Sequence, residues 1–295
     1  LHSESNPTWS SDGKWVAFAS NGDIYVAGID LVERQNITDS SDPDFGPVWS
    51  PDGLFIAYQT QGRYGPEINL ISPDGSTKTN ISNIPATYVG MAWSPDSTKI
   101  AFSSNRMGWQ ADSVLGAPLV WEIYVVSADG SEDIQVTFNN ATSLNPTWSP
   151  DGTKIAFQSD VEGDFEIFQV DIYGGNVEQL TDNSWPDVSP TWSRDGKQIA
   201  FVSSRPKTEF QSDVTTGLDL YLMNQDGTGQ FALTNVPNVN FTEPSWSPDG
   251  NFLVFDGRYS TGIFNQHGIG QKGINEIYVM GMSDLYEFSR LTKNK

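Results

Sequence analysis

The sequence predicts an all-β fold, a six-bladed β-propeller with four antiparallel strands per blade, and three observations predict it. The stretch NPTWSPDGTKIAF, from Asn145 to Phe157, recurs with small edits along the chain. Its tryptophan returns as Trp9, Trp49, Trp93, Trp148, Trp192 and Trp246. Each copy holds enough apolar alternation for four short strands, and a spacing of about 40 to 55 residues with several strands per copy marks propeller blades rather than a helical solenoid.

Within a copy, the PTWS segment is a short strand that leads into a turn carrying Asp12, Asp52, Asp96, Asp151, Asp195 or Asp249. In SPDG the proline presets φ, the aspartate caps backbone N–H groups and the glycine takes a positive φ. Ser97 stands where the other copies have that glycine. KIAFQS is a second strand, alternating β-branched and aromatic residues on a half-buried surface. A third follows at Ile24-Tyr25-Val26, Ile68-Asn69-Leu70, Ile123-Tyr124-Val125, Ile167-Phe168-Gln169, Leu220-Tyr221-Leu222 and Ile277-Tyr278-Val279. The fourth ends in Ile37-Thr38, Ile81-Ser82, Val136-Thr137, Leu180-Thr181, Leu233-Thr234 and Leu291-Thr292. Blades are therefore expected to start near residues 6, 46, 90, 145, 189 and 243, with residues 1–295 forming one domain.

The P-x-W-S-P-D-G-x-x-I-A-F…I-Y-V…D-G…L-T pattern, from Asn6 to Thr292, resembles the WD40-like repeats of the TolB-like propellers. Such repeats also occur in the propeller domains of prolyl-oligopeptidase-type and tricorn-type peptidases. The resemblance implies the fold and, for TolB-like proteins, periplasmic protein–protein contacts. One fold hosts many activities, so function has to be argued from residues.

Charge narrows the partners. The chain has 37 acidic and 16 basic residues, a net charge of −21. That field repels nucleic acid and anionic membranes and favours cationic partners, divalent ions and solubility. No run of about 18 apolar residues offers a membrane span, so no membrane insertion is expected. The absence of cysteine excludes disulfides, Cys-based zinc sites and thiol catalysis. The chain begins at Leu1 rather than Met, which suits removal of a signal peptide or an upstream domain, and an extracytoplasmic location (periplasm, cell surface or secreted) is expected.

In a four-stranded blade the first-to-second and third-to-fourth turns share one side, while second-to-third loops and blade-to-blade connections share the other. The first side receives the aspartates of the short turns. The second receives long insertions at Asn105 to Trp121, Arg205 to Gly217 and Gly257 to Gly273. Long loops in an economical repeat are usually functional or mobile. Flat rings give large apolar contact at low entropy cost, which nominates Tyr88, Trp109, Trp121, Trp185, Phe241, Phe264 and His267 as ligand- or partner-binding residues. The alternative is that these rings pack over the blade edges. Arg63, Arg106, Arg205 and Arg258 open these loops and are expected to pair with Glu67, Glu122, Asp219 and Glu276 across the hairpin.

Catalytic signatures are few. There is no G-x-S-x-G, and His2 and His267 form no metal-binding spacing. No catalytic residue, cofactor or metal is assigned, although Asp39, Asp42 and Asp44, and Asp160, Glu162 and Asp164, are two clusters that could hold Ca²⁺. The expected function is a non-catalytic extracytoplasmic binding or scaffold propeller that engages a protein or surface polysaccharide through its loop-rich side. Two alternatives remain: a glycan-active hydrolase or lyase with carboxylates at the channel mouth, and the gating propeller of a larger peptidase.

Overall fold

The computed structural model describes residues 4–29, 34–62, 65–82, 87–106, 120–205, 217–236, 239–259, 264–265, 268–269, 275–283 and 288–290. They form six four-stranded sheets, each built from consecutive stretches of chain. This is the all-β, six-bladed propeller class that the repeat predicts. Blade one is typical, with strands Glu4–Trp9, Trp15–Ser20, Asp23–Gly28 and Arg34–Asn36. In the sixth sheet a small hairpin, Phe264–Asn265 with Gly268–Ile269, intervenes in sequence between strands Phe252–Tyr259 and Asn275–Gly281.

The SPDG turn is stitched by its own side chains. Ser10 Oγ donates to Asp12 Oδ1 (2.7 Å), which also accepts from Lys14 N (3.0 Å), while Trp15 N donates back to Ser10 Oγ (3.0 Å). The same three bonds recur around Asp52, Asp96, Asp195 and Asp249. The Ser247 hydroxyl and the Asn251 N–H hold the Asp249 carboxyl down at about 2. Ser97 adopts the positive φ (60°) that glycine supplies elsewhere.

The inner strands of the first five sheets begin five residues before their tryptophan and that of the sixth seven residues before, earlier than the PTWS segment alone indicates, and each carries a kink three residues before it. Asn6, Gly46, Gly90, Asn145, Ser189 and Glu243 all have φ between 52° and 63°. The pairing register slips at these points, for example between Phe45 and Val48 and between Val188 and Thr191, which is the mark of a β-bulge.

The chain falls into two compact units. The first comprises Leu1–Trp148, Gly152–Ile155 and Val170–Asn176, and the second Ser149–Asp151, Ala156–Gln169 and Val177–Lys295. In the first unit Trp93 Nε1 donates to Val48 O and Trp148 Nε1 to Ala92 O, both at 3.0 Å, so the repeated indole bolts a sheet to the one before it. Buried Tyr58, Ile68, Ile100, Phe102 and Tyr124 fill its core. The second unit repeats the bolt at Trp246 Nε1 to Thr191 O (3.3 Å) and buries Phe201, Leu220, Leu253 and Phe255. Each such side chain contributes roughly 1.5–3 kcal/mol relative to exposure.

Candidate functional site

The Leu-Thr ending of the repeat has a mechanical role. In four blades the third strand opens on an acid, and the threonine closing the fourth strand reaches it. Thr38, Thr137, Thr181 and Thr234 Oγ1 accept from the N–H of Ile24, Ile123, Ile167 and Leu220 at 2.8–3.0 Å. The same hydroxyls donate to Asp23, Glu122, Glu166 and Asp219. In the first, third and fourth blades the acid then takes a backbone N–H of the following connection: Ser40 N on Asp23 (3.0 Å), Asn140 N on Glu122 (2.8 Å) and Asn183 N on Glu166 (2.7 Å). The result is a clamp that fixes how the chain leaves a blade.

Two clamped connections present aromatic rings. After blade three, Phe138 is 68% exposed. Half-buried Trp121 bridges that connection at Thr142, with Trp121 N donating to Ala141 O (3.2 Å) and Ser143 N to Trp121 O (2.8 Å). After blade four, Trp185 is 39% exposed and its N–H is tied to Asn183 Oδ1 (3.0 Å).

Under Trp185 the clamp is joined by a second carboxylate. Asn183 Nδ2 donates to both Glu166 Oε2 (3.2 Å) and Asp187 Oδ2 (2.9 Å). Arg205 donates to Asp187 Oδ2 (2.5 Å) and to Gln230 Oε1 (2.7 Å), and its guanidinium carbon lies 5.1 Å from the centre of the Tyr221 ring. Burial, reinforced by the neighbouring Asp187 carboxylate, pushes the Glu166 carboxyl up to about 7. A carboxyl near neutrality suggests acid–base chemistry. Here, however, Glu166 is held by the partners that hold Glu122, a threonine hydroxyl and a connection N–H, so the raised value follows from the clamp's burial.

The nominated residues are dispersed. Tyr88 and Phe241 are strand residues in the core, 2% and 1% exposed, packed edge-on against Phe102 and Phe255 respectively. They act in packing, because both occupy the buried first half of an inner strand rather than a connection. Trp121 and Trp185 lie on clamped connections as described. Phe264 lies in the strand Phe264–Asn265, and Trp109 and His267 lie outside the described residues. Phe138, exposed beside Trp121, was not nominated. Its signal is present in the repeat, since the residue after the blade-ending Thr or Ser is polar elsewhere, namely Asp39, Asn83, Asp182, Asn235 or Lys293.

The expected arginine pairs need correction. Arg106 makes a bidentate pair with Asp133 (2.6 and 2.7 Å) over the Tyr124 ring, and Arg205 pairs with Asp187. Glu122 and Asp219 are already taken by Thr137 and Thr234, so the guanidinium groups turn to other acids. Arg63 and the side chain of Glu276 lie outside the described residues. Asp44 is buried and accepts from Thr60 Oγ1 (2.6 Å), whereas Asp39 and Asp42 are exposed. Among the described residues no group of three His, Cys, Asp or Glu side chains is arranged to hold a metal ion. No described helix is long and apolar enough to cross a membrane.

Comparison with known proteins agrees with the repeat. The family model described as the TolB beta propeller domain matches residues 22–217. A "Protein TolB homolog" of Chlorobium luteolum is 28% identical over 164 residues, 54% of this chain and 31% of that protein. The "Uncharacterized peptidase YuxL" of Bacillus subtilis is 30% identical over 203 residues, 68% of this chain and 22% of that protein. The chain thus spans less than a third of the length of either relative. The structure of a putative TolB from Agrobacterium tumefaciens matches with a TM-score of 0.64 and 25% identity, covering 84% of this chain and 87% of that one. The blade repeat, its four-stranded sheets and the family model agree: the chain belongs to the TolB beta propeller domain family.

Proposed function

We propose that this chain is a non-catalytic, extracytoplasmic binding scaffold that holds a protein partner on the clamped connection bearing Trp185. The observation that carries the reading is the exposure of Trp185 on a connection fixed by Asn183 and Glu166. A rigid, exposed indole is the kind of anchor that dominates protein interfaces, because it gives large contact area for little lost rotamer freedom. Membership of the TolB propeller family supports a scaffold or binding role. The test is affinity capture from an envelope extract with the wild-type chain and a Trp185→Ala variant. Partners held by the wild type should be retained about tenfold less by the variant. Equal retention overturns the reading.

The similarity to YuxL favours a second reading, a propeller that gates a peptidase. A hydrolase domain encoded in the same reading frame would establish it. Its absence from the complete reading frame would remove it.

A further inference from the structure

The acid pair beneath Trp185 is short of donors. Glu166 and Asp187 are 1% and 0% exposed, and a single amide, Asn183 Nδ2, donates to both of them (3.2 and 2.9 Å). Arg205 supplies one positive charge, at Asp187 Oδ2, while Asp187 Oδ1 is buried and has no hydrogen-bond partner. The same shortage recurs at the connection leaving blade one. Asp44, also five residues before its tryptophan, leaves Oδ2 buried and unfilled and feels the charge of Asp23, the acid that opens the preceding third strand. Asp23 is only half-buried, so water reaches one member of that pair, whereas both members of the Glu166 pair are sealed.

A sealed pair has to find its missing donor inside the chain. Glu166 and Asp187 hydrogen-bond each other, and a carboxyl–carboxyl hydrogen bond exists only with a proton in it. Of the neighbouring groups, Asp164 on the same hairpin, Asp182 on the connection and Asp219 on the next sheet add negative charge. Tyr221 is neutral, because burial raises its phenol, and Arg205 is the cation that faces the pair. One positive charge against two sealed carboxylates leaves room for one proton.

Asn183 carries the effect outward. Its N–H rests on Glu166 Oε1 (2.7 Å), its amide grips both carboxyls, and its Oδ1 holds the Trp185 N–H (3.0 Å). We propose that Glu166 and Asp187 share one proton in the folded chain and that its loss loosens the connection from Asn183 to Trp185, which makes this connection a proton-operated latch. The proposal adds regulation to the surface assigned above to a partner, and its test needs no partner, so the two readings can fail separately.

Opening the connection to water returns Glu166 to the ordinary glutamate range, whereas the closed pair keeps its proton up to about pH 7. Rising pH therefore favours the open form. Amide hydrogen exchange on the full chain reads this opening. Protection of the Asn183 and Trp185 N–H groups, corrected for the intrinsic rate at each pH, should fall about tenfold from pH 6 to pH 8. Glu166→Gln puts a permanent amide donor in place of the shared proton and should reduce that fall to less than about twofold. Unchanged protection in the wild type, or an equal fall in Glu166→Gln, overturns the proposal. A second measurement needs no variant: the ¹³C shift of the Glu166 carboxyl should show it protonated at about pH 5.5, and a group already ionised there overturns the shared proton. Partner capture that is unchanged in Trp185→Ala, with the pH-dependent exchange present, removes the scaffold reading and leaves the latch standing.

Discussion

The connections leaving blades three and four are built on one plan and differ in whether a second carboxylate stands beside the gripping glutamate. Both are gripped by a buried glutamate, Glu122 or Glu166, that takes a threonine hydroxyl and a backbone N–H. Five residues before the next tryptophan, the first carries Ser143 and the second carries Asp187, both fully buried. Burial raises the Glu122 carboxyl, and in the second case the Asp187 carboxylate adds its repulsion to that of burial. One substitution in the repeat thus turns a plain mechanical clamp into a charged one, with Arg205 as counter-ion.

The comparison can be broken most forcefully at Asp187. Asp187→Ala leaves Arg205 without its carboxylate and should cost roughly 3 kcal/mol in urea unfolding, whereas Ser143→Ala at the equivalent place should cost about 1 kcal/mol or less. Similar costs at the two positions would erase the distinction. The pH dependence comes next. Glu166 binds its proton in the folded state up to about pH 7, while the unfolded chain releases it near the ordinary glutamate value. Folded stability from this group is therefore greatest at low pH and declines as pH rises through that window, by about 2 kcal/mol. Glu166→Gln should flatten the decline, and stability measured from pH 5 to pH 7.5 checks it.

A smaller effect sharpens what the two clamps share. Thr137→Val and Thr181→Val each strand a buried N–H and a carboxylate oxygen and should cost roughly 1–2 kcal/mol apiece, equally in both blades. Unequal costs would show that the clamps are not the same device. At the bottom of the scale, Phe138→Asn restores the polar residue that other copies carry and should change stability by less than about 0.5 kcal/mol. A larger change there, measured by thermal unfolding, would mean that the exposed ring supports the connection rather than standing ready for a partner.

Much of the fold was legible because its signals are local. The Ser-x-Asp-Gly turn, the alternation of KIAFQS and the recurrence of tryptophan are each decided by residues a few positions apart. The candidate site was harder because its decisive bonds span about fifteen residues. Glu122 looked like a partner for Arg106 across a hairpin, yet Thr137 claims it from the fourth strand and Arg106 turns to Asp133. Tyr88 and Phe241 looked like loop aromatics because PTWS understates the inner strand, whose first residues are buried. Phe138 needed a different question, namely which copy departs from the repeat rather than which residues are large and aromatic.

The kinked inner strand has a consequence for how such chains change length. Every copy bears its own bend, at Asn6, Gly46, Gly90, Asn145, Ser189 or Glu243, three positions ahead of its tryptophan, and in the third, fourth and sixth copies that indole fastens the sheet to its predecessor. A duplication that copies one repeat copies the curvature and the fastener together, so a lineage can gain or shed whole blades as finished parts. A deletion falling between bend and indole would instead leave a sheet that could neither turn nor attach.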